Sequence, residues 1–304
     1  MEVFVTGGTG LVGRRLIPLL LESGHRPVIL TRDPSRIAKE IRDRVRILEG
    51  DPCVLGSWQD AIDGTDAVIH LAGENIASRR WNPNFKQRLR SSRIQSTRNV
   101  IDVISRCKRP PGQFVGASAI GWYGDRGDQW VDENSSCGDD FLAHLCHDWE
   151  AASQHLDGSS TIRTVIRLGI VLDSAGGALA SLMNPIRWGI GGPMAGGRFF
   201  MSWIHQNDLC RMMLWCINQR VSGLVNAVSP NPATNSEFVS ALAKLMNRWA
   251  FLPVPYLPLR LMIGEMARLI CLSQRVKPRK AIESGFEFGF PTLPEALKDL
   301  LNNR

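Results

Sequence analysis

Residues 1–21 read MEVFVTGGTGLVGRRLIPLLL, and this stretch decides the fold. A short β-rich run leads into a glycine turn, and apolar residues at helical spacing follow it. Glycine has no Cβ and tolerates positive φ, so the amides of such a turn can approach a pyrophosphate, toward which the next helix directs its positive end. A strand, a glycine turn and a helix in this order predict a dinucleotide site. The residues that we expect to contact the cofactor are Gly7, Thr9, Gly10, Leu11, Val12 and Gly13.

Two glycine spacings fit this turn. Gly8, Gly10 and Gly13 form Gly-x-Gly-x-x-Gly, whereas Gly7, Gly10 and Gly13 form Gly-x-x-Gly-x-x-Gly. The second spacing resembles that of the extended and atypical short-chain dehydrogenase/reductases. Both spacings predict a dinucleotide, and the alternative interpretation is a purely structural glycine turn.

The end of the second strand indicates which dinucleotide binds. The strand is predicted over Arg26–Thr31, and Thr31 and Arg32 stand where NAD-binding proteins usually place an acidic residue for the ribose 2′-hydroxyl. A guanidinium can instead pair with a 2′-phosphate through two hydrogen bonds. Asp33 follows one residue later and is a competing NAD-type ligand. We therefore predict that the cofactor is NADP(H) and that Thr31 and Arg32 help to bind it.

Length, charge and cysteine content limit the class of protein. The 304 residues are enough for one large or two modest domains. The net charge is +7, but the basic residues are dispersed, so no nucleic-acid partner is expected. The seven cysteines form no Cys-x-x-Cys pair, which argues for reduced thiols in a cytoplasmic compartment. No apolar run reaches about 18 residues and the first strand begins almost at Met1, so we expect neither a membrane partner nor a signal peptide.

Strands and helices alternate after the glycine turn, which predicts an α/β protein with a parallel, doubly wound sheet. Four more strands are predicted, at 45–51, 66–73, 113–118 and 161–172. Ligands of such sheets bind at the carboxyl ends of the strands. The small and apolar residues at the end of the fourth strand are therefore expected on the cofactor rim, and they are Leu71, Ala72 and Gly73.

The chain divides into two predicted domains. Residues 1–172 form a Rossmann domain that binds NADP, and a strand near 223–228 returns to it. Residues 173–304 form a smaller, mostly helical region on the substrate side, and its tail spans 250–304. The tail includes an apolar helix predicted over Leu259–Leu272.

Three arginines near the predicted rim are candidate ligands of the cofactor phosphates. Arg88 and Arg93 lie in a helix predicted over Phe85–Ile104, whose first turns follow the fourth strand. Arg167 lies near the carboxyl end of the sixth strand. The alternative is a solvated side chain for the first two and a structural salt bridge for Arg167.

The catalytic candidates follow from the resemblance to the dehydrogenase/reductases. In that family a serine after the fifth strand orients the substrate oxygen, and a Tyr-x-x-x-Lys pair transfers the proton. Ser118 matches the serine, but neither of the two tyrosines has a lysine four residues later. Leu142 and Cys146 stand at the positions of the pair, in a helix predicted over 140–152. We therefore take Ser118 and Tyr123 as catalytic candidates, with Tyr123 as a substitute acid if its loop folds back.

Cys146 lies between His144 and His147, so a reactive thiol and a metal site are alternatives to weigh. Helix positions one or two apart point in different directions, which favours a packed cysteine with surface histidines. No metal is predicted. His205 is interpreted as a structural hydrogen-bonding group rather than a catalyst.

Three motifs carry a closer resemblance. They are Gly-Gly-Thr-Gly at 7–10, Ser-Trp-Ile-His at 202–205, and Ser-Gln-Arg-Val-x-Pro at 273–278 followed by Gly-Phe-x-Phe at 285–288. Together they resemble the atypical short-chain dehydrogenase/reductases called epimerase family proteins, which have a C-terminal domain of unknown function. The resemblance covers essentially the whole chain. It implies an NADP-binding Rossmann fold that lacks the Tyr-x-x-x-Lys pair and, by analogy, a homodimer through helices beside the fourth and fifth strands.

Two functions fit these residues. The first is an NADP(H)-dependent oxidoreductase or epimerase-like protein that acts on a small-molecule hydroxyl or carbonyl substrate, whose identity the sequence does not specify. A glycine-rich segment at 189–197 that can serve as a lid favours this function. The alternative is a non-catalytic NADP(H)-binding sensor or scaffold, which the missing proton-transfer pair favours.

Overall fold

Strands and helices alternate through most of the computed structural model, which describes residues 1–302. The strands, in chain order, are β1 (Glu2–Thr6), β2 (Arg26–Thr31), β3 (Arg46–Glu49), β4 (Ala67–His70), β5 (Gln113–Ala119), β6 (Trp130–Val131), β7 (Ile162–Leu168), β8 (Ile170–Leu172), β9 (Phe200–Met201), β10 (Trp203–His205), β11 (Gly223–Ala227), β12 (Ala233–Thr234) and β13 (Arg275–Val276). The helices are α1 (Gly13–Glu22), α2 (Lys39–Arg42), α3 (Pro83–Ile104), α4 (Phe141–Ala151), α5 (Gly177–Arg187), α6 (Gln206–Asn218), α7 (Asn235–Leu245), α8 (Tyr256–Ile263), α9 (Met266–Ile270), α10 (Arg279–Glu283) and α11 (Leu293–Asn302). Short 3₁₀ turns lie between them at Pro34–Arg36, Ser57–Ala61, Ile120–Tyr123 and Gln154–Leu156.

Seven of these strands form one parallel sheet in the order β3-β2-β1-β4-β5-β7-β11. The order reverses beside β1, which pairs with β2 on one side and with β4 on the other. Ligands of open α/β sheets bind at the carboxyl ends of the strands at such a switch point. The predicted doubly wound α/β fold is confirmed, and the strand expected near 223–228 returns to this sheet as β11.

Alternate residues of β1 pack against the two helix layers. Val5 belongs to the apolar cluster that contains Leu16 of α1 and Met213 of α6. Phe4 points to the opposite face, where it packs in a cluster with Val100 of α3. Because helices cover both faces, the strands are apolar on both sides, and the edge with the carboxyl ends is where polar groups can meet a ligand.

The C-terminal part of the chain builds an apolar cluster of its own. Trp203 and Phe238 are fully buried there, together with Met183 of α5 and Leu297 of α11. This part also supplies β11 to the main sheet, so the two parts share a continuous structure. The predicted division into residues 1–172 and 173–304 stays a prediction.

The predicted sixth strand, 161–172, is two strands separated at Gly169. β7 pairs with β5 and β11, whereas β8 pairs with β10. The Gly169 amide donates to the Ala227 carbonyl oxygen, and the next amide, that of Ile170, donates to the Ser202 carbonyl oxygen. A Cβ on Gly169 would lie 2.7 Å from that Ser202 oxygen, so the crossing requires glycine. The prediction of one strand was wrong because a tertiary contact changes the pairing partner.

The predicted apolar helix over Leu259–Leu272 is also two helices, α8 and α9. Gly264 follows α8 with φ of +67° and ψ of −139°, a backbone conformation that glycine can adopt and that turns the chain out of the helix. Arg80 donates to the carbonyl oxygen of Leu261 at 2.7 Å, which attaches α8 to the segment after β4.

A buried polar chain fixes the carboxyl end of β4. The Nδ1 atom of His70 lies 2.7 Å from Thr6 Oγ1, and its Nε2 atom lies 3.1 Å from Ser96 Oγ. His70 is fully buried, and burial lowers its pKa to about 4. The imidazole is therefore neutral in the folded protein at neutral pH.

We expect His70 to make the free energy of unfolding fall in mild acid. The imidazole takes up a proton near pH 6.5 in the unfolded chain but only near about 4 in the folded chain, so the unfolded state binds more protons between these values. Stability should therefore be lost as the pH falls through this interval, by about 3 kcal/mol in total. Urea unfolding at about pH 7 and about pH 4 measures the loss.

The His70→Asn variant is the comparison for this measurement. Over the same pH interval, its free energy of unfolding should decrease by about 3 kcal/mol less than that of the wild type, whatever its stability at neutral pH. Equal losses in the two proteins would show that other groups cause the acid sensitivity.

Candidate functional site

The glycine turn at 7–13 is shaped by two contacts that leave no room for a side chain. Gly7 has φ of +73°, and a Cβ on it would lie 2.8 Å from the backbone of Leu71. A Cβ on Gly13 would lie 2.4 Å from the Gly7 carbonyl oxygen, because α1 begins against the turn. The amide of Gly10 donates to the same oxygen at 3.0 Å. Gly7, Gly10 and Gly13, the second of the two spacings, therefore define the turn.

The turn lies beside the end of β4, as predicted for the cofactor rim. The amides of Leu71 and Ala72 donate to the carbonyl oxygen and the Oγ1 atom of Thr6, at 3.2 and 3.3 Å. Within residues 1–302, the amides of Leu11 and Val12, just before α1, have no protein acceptor. Amides of this kind at a helix N-terminus are the donors that a pyrophosphate uses.

Thr9 and Thr31 lie on the same rim. Thr9 is half-buried in the glycine turn, and Thr31 is buried at the end of β2, the neighbour of β1. The Oγ1 atom of Thr31 accepts a hydrogen bond from the Asp33 amide at 3.2 Å. This contact sets the direction in which the chain leaves β2.

Arg32 and Asp33 point to different partners. The side chain of Arg32 is 71% exposed, and its Nη1 atom lies 3.8 Å from Asp51 Oδ2. The carboxylate of Asp33 accepts hydrogen bonds from the amide and the hydroxyl of Ser35, at 3.0 and 2.5 Å. These bonds from Ser35 lower the pKa of Asp33. Asp33 therefore caps the following 3₁₀ turn, and Arg32 is the group available to a phosphate.

The two arginines of α3 occupy different positions. A Cβ on Gly73 would lie 3.4 Å from the Cγ atom of Arg93, so Arg93 is beside the rim. Its guanidinium stacks 5.1 Å from the centre of the Trp149 ring and donates to the Leu89 carbonyl oxygen. Arg88 is exposed and lies about 140° from Arg93 around the helix axis. The structure brings Arg93 to the predicted rim but does not bring Arg88 there.

A buried polar network joins the carboxyl ends of β5, β7 and β11. Parallel pairing places Ser118, Arg167 and Asn226 side by side in one row. The Arg167 guanidinium donates to both carboxylate oxygens of Glu150, at 2.8 and 2.9 Å, and to the Tyr123 hydroxyl at 3.1 Å. The Tyr123 hydroxyl donates to Asn226 Oδ1 at 2.7 Å, and the Ser118 hydroxyl donates to Glu150 Oε1 at 2.7 Å. All five side chains are buried.

This network disfavours two of the predicted roles. Arg167, predicted to bind a phosphate, has no exposed surface and is held by Glu150 in an ion pair, as in the alternative interpretation. The hydroxyl of Tyr123 is enclosed between Arg167 and Asn226, so the loop does not present it to a substrate. Burial raises the pKa of Tyr123 to about 12, although the Arg167 charge opposes this, which further argues against a role as an acid. Ser118 lies at the predicted end of β5, buried against Glu150.

Sequence reasoning missed Glu150 and Asn226. Glu150 follows Cys146 by four residues and Leu142 by eight, so it lies on the helix face where the Tyr-x-x-x-Lys pair was sought. That spacing is a signal from which Glu150 could have been found. Asn226 is 103 residues from its partner Tyr123, and no local pattern connects the two.

The cysteine between two histidines is a packed residue. Cys146 is buried, and burial raises the pKa of its thiol to about 12, which disfavours a reactive thiolate. His144 pairs with Asp139 at the surface, and the His147 ring stacks on Trp122. In the described part of the chain, 1–302, no three His, Cys, Asp or Glu residues lie close enough to hold a metal ion.

The motifs of the C-terminal half contact each other. The Ser202 hydroxyl donates to the Gln274 carbonyl oxygen at 2.7 Å and accepts from the Val276 amide at 2.9 Å. The side-chain amide of Gln274 donates to the Ile120 carbonyl oxygen at 3.0 Å, in the 3₁₀ turn that ends at Tyr123. The tail therefore fixes the turn that supplies Tyr123 to the network.

His205 has the structural role that was predicted. Its Nδ1 atom accepts from the Asn207 amide at 3.1 Å and caps α6. The ring is buried and stacks 3.8 Å from the centre of the Phe290 ring, and its Nε2 atom lies 3.2 Å from Asp299. Burial lowers the pKa of His205, although Asp299 opposes this.

Two family models match the two ends of the chain. Residues 3–144 match the NAD dependent epimerase/dehydratase family, and residues 254–300 match DUF1731, a domain of unknown function. The second match contains the Ser-Gln-Arg-Val motif at 273–276, which contacts the 3₁₀ turn behind the network.

Curated proteins match this chain along its whole length. It is 36% identical to the chloroplastic epimerase family protein SDR39U1 homolog of Arabidopsis thaliana, over 99% of this chain and 87% of the relative. It is 34% identical to the human epimerase family protein SDR39U1, over 99% of this chain and 100% of the relative. It is 36% identical to the epimerase family protein YfhF of Bacillus subtilis, over 100% of this chain and 99% of the relative.

Solved structures share the fold. A crystal structure of human SDR39U1 (isoform 2) with NADPH superposes with a TM-score of 0.89 at 33% identity and covers 100% of both chains. A nucleoside-diphosphate sugar epimerase from Corynebacterium glutamicum superposes with a TM-score of 0.80 at 29% identity, over 100% of this chain and 59% of that one. With full-length relatives above 30% identity and the same fold around its glycine turn, the chain belongs to the epimerase family proteins, in which an NAD-dependent epimerase/dehydratase domain precedes DUF1731.

Proposed function

We propose that this chain binds NADP(H) in the glycine turn at the carboxyl end of β1. The observation that carries the proposal is the shape of the turn, in which Gly7 and Gly13 admit no side chain. The amides of Leu11 and Val12, without a protein acceptor among residues 1–302, are suitable donors for a pyrophosphate. The human relative whose crystal structure contains NADPH supports the same assignment.

Arg32 is the residue that we expect to select the phosphorylated cofactor. Its exposed guanidinium follows the end of β2, the place in such folds where the ribose 2′-position of the cofactor lies. Asp33, the competing ligand for a 2′-hydroxyl, is used as a cap and bonded to Ser35. A guanidinium forms two charge-assisted hydrogen bonds with a phosphate, whereas a carboxylate repels it.

We infer further that the chain is an oxidoreductase or epimerase-like enzyme for a small hydroxyl or carbonyl substrate. NADP(H), when bound, supplies hydride transfer, so the protein has to orient the substrate oxygen and hold its proton. Ser118, at the end of β5, is the candidate for that contact. Its hydroxyl hydrogen points to Glu150, which leaves oxygen lone pairs to accept a hydrogen bond from a substrate hydroxyl.

Ser118 and Glu150 together can act as a proton relay. When the Ser118 oxygen takes a proton from a substrate hydroxyl, its own hydrogen passes to Glu150 Oε1, so the serine is left neutral. Arg167 is then without its counter-charge until the proton leaves Glu150 again, so the protonated carboxyl is only a transient state. The reverse transfer returns the proton to a substrate oxygen. Arg167 orients the carboxylate through its two hydrogen bonds and is a positioning residue. In this proposal, the relay takes the place of the Tyr-x-x-x-Lys pair with which the short-chain dehydrogenase/reductases transfer a proton.

The alternative is a sensor or scaffold that holds NADP(H) without turnover. Burial is the observation that favours it, because Ser118 is 1% exposed and Glu150 is 5% exposed. A substrate reaches Ser118 only after part of its cover moves. We favour the enzyme because Ser118 lies at the carboxyl end of β5, where a substrate oxygen would meet it, and because Glu150 fixes the direction of its hydroxyl.

The buried pair between Glu150 and Arg167 should be important for stability. Glu150→Gln leaves the guanidinium buried without its counter-charge, and we expect the free energy of unfolding to fall by about 3–5 kcal/mol. Asp157→Asn is the control, since it breaks the pair with Arg163 in which the aspartate is 55% exposed, and it should cost less than about 1 kcal/mol. Denaturant unfolding measures both, and equal small losses would contradict the proposed importance of the buried pair.

Calorimetric titration with NADPH and NADH tests the cofactor. The wild type should bind NADPH more tightly, and Arg32→Ala should weaken NADPH binding about 10–100-fold while changing NADH binding less than about threefold. Arg106→Ala removes another exposed arginine, beyond the end of α3, and should change neither affinity. If the wild type bound both cofactors equally, the role of Arg32 would be wrong, and if it bound neither, the proposed function would be wrong.

Turnover can be tested by NADPH oxidation with a panel of aldehydes, ketones and 4-keto sugar nucleotides, the last chosen because a relative is named as a nucleoside-diphosphate sugar epimerase. Ser118→Ala should lower kcat/KM about 100-fold for any active compound. Tyr123→Phe loses one buried hydroxyl as well, but this hydroxyl faces Arg167 and Asn226, so the loss should stay below about tenfold. Equal losses would contradict these roles, and NADPH binding without oxidation of any compound would support the sensor.

A further inference from the structure

Large apolar side chains are exposed on the C-terminal part of the molecule. The two most exposed are Trp188, at 81%, and Leu261, at 79%. Large exposed apolar patches usually mark interaction sites, whereas single exposed apolar residues do not. We call the group the docking surface, and it consists of Trp188, Ile190, Trp249, Phe251, Leu257, Leu261 and Met262.

Backbone pairing joins the two segments that carry the docking surface. The Val254 amide donates to the Pro193 carbonyl oxygen, and the Ala195 amide donates to the Val254 carbonyl oxygen, both at 2.9 Å. Gly192 packs against the backbone of Leu252 so closely that no Cβ fits between them. The loop after α5 and the segment before α8 therefore lie against each other, which places the backbone that follows Ile190 beside the backbone that follows Phe251, and α8 comes next in the chain.

Helix α8 exposes several of its apolar side chains to solvent. Leu257 and Leu261 are one turn apart and exposed, whereas Leu259 between them is buried. Arg260 is exposed beside them. A surface that carries apolar side chains with a basic residue beside them can insert the apolar ones between lipid headgroups. Trp188 and Trp249 belong to the residue type that is enriched at this depth of a bilayer.

The segments that form the docking surface are strongly basic. Residues 187–198 and 244–270 contain one acidic residue, Glu265, which is paired with Lys86. The same two segments contain six basic residues, namely Arg187, Arg198, Lys244, Arg248, Arg260 and Arg268. The partner of this surface should therefore be apolar at its centre and negatively charged around it.

We propose that the docking surface binds the face of a membrane whose headgroups are anionic. A bilayer offers this combination of an apolar interior and a negative surface. A second copy of the chain is a poorer partner, because an isologous contact would place the same basic residues opposite each other. The contact is peripheral, and it places α8, which Arg80 attaches to the segment after β4, at the lipid surface.

This proposal revises the expectation that the chain has no membrane partner. That expectation was based on the lack of a long apolar run. No helix within residues 1–302 is long and apolar enough to cross a bilayer. The docking surface instead arises from short segments that tertiary structure brings together, and a search for long apolar runs does not detect it.

Co-sedimentation of the full chain with vesicles tests the proposal. The protein should bind vesicles that contain about 30 mol% phosphatidylserine in phosphatidylcholine at least tenfold better than pure phosphatidylcholine, and about 0.5 M NaCl should weaken the binding. The double variant Leu257→Ser, Leu261→Ser should reduce binding about tenfold or more. The matched control is Val54→Ser, Leu55→Ser, which changes two apolar side chains with 62% and 68% exposure outside the docking surface and should bind like the wild type.

A second measurement on the wild type does not depend on how well a variant folds. Brominated lipids should quench tryptophan fluorescence on binding, and Trp249→Phe, at a side chain that is 77% exposed, should lose part of the quenching. Lack of binding to the phosphatidylserine vesicles would overturn the proposal. It would also be overturned if light scattering showed a dimer that the Leu257→Ser, Leu261→Ser variant converts to a monomer, since a second copy would then cover the surface.

Discussion

The buried guanidinium of Arg167 is the charge around which the carboxyl edge of the sheet is arranged. A charged group without solvent persists only where hydrogen bonds and a counter-charge replace water. Glu150 supplies the counter-charge from α4, and Tyr123 supplies a hydroxyl from the turn after β5. Asn226 of β11 binds that hydroxyl in turn. Arg167 of β7 thereby connects three other elements, and through Glu150 it also orients the residue that Ser118 contacts at the end of β5.

Local patterns predicted the parts of the fold that local physics decides. β2 has the predicted bounds, Arg26–Thr31, and the turn between Gly7 and Gly13 has the predicted form, because strand propensity and glycine conformation act within a few residues. The partners of Arg167 depend on tertiary structure, since Glu150 is 17 residues away in the chain. The break at Gly169 has the same cause, because β8 pairs with β10, a strand that comes later in the chain and begins beside Gly169. Composition and spacing therefore located the edge of the sheet where the site lies, but not the contacts within it.

The motifs that carried the family resemblance are explained by one set of contacts. Ser202 and Gln274 are 72 residues apart, and the Ser202 hydroxyl both donates to this segment and accepts from it, which few side chains can do. Gln274 then binds the carbonyl oxygens of Ile120 and Gly124 on either side of Tyr123. The DUF1731 region is therefore more than an appended domain, because it holds the turn from which Tyr123 reaches Arg167. A chain that kept the Rossmann part alone would lose a support of the buried network.

The electrostatics of this network limit how the protein can handle a proton. In the Tyr-x-x-x-Lys arrangement, an unshared cation lowers the pKa of the tyrosine. Here the cation beside Tyr123 is shared with Glu150, and burial raises the tyrosine pKa to about 12 although the guanidinium is 3.1 Å from the hydroxyl. A cation next to a tyrosine does not make it an acid when a carboxylate neutralises that cation and water is excluded. The relay that we propose therefore runs through Ser118 and Glu150 and not through Tyr123. Either this relay operates when the site opens, or the protein binds its cofactor without proton transfer at this network.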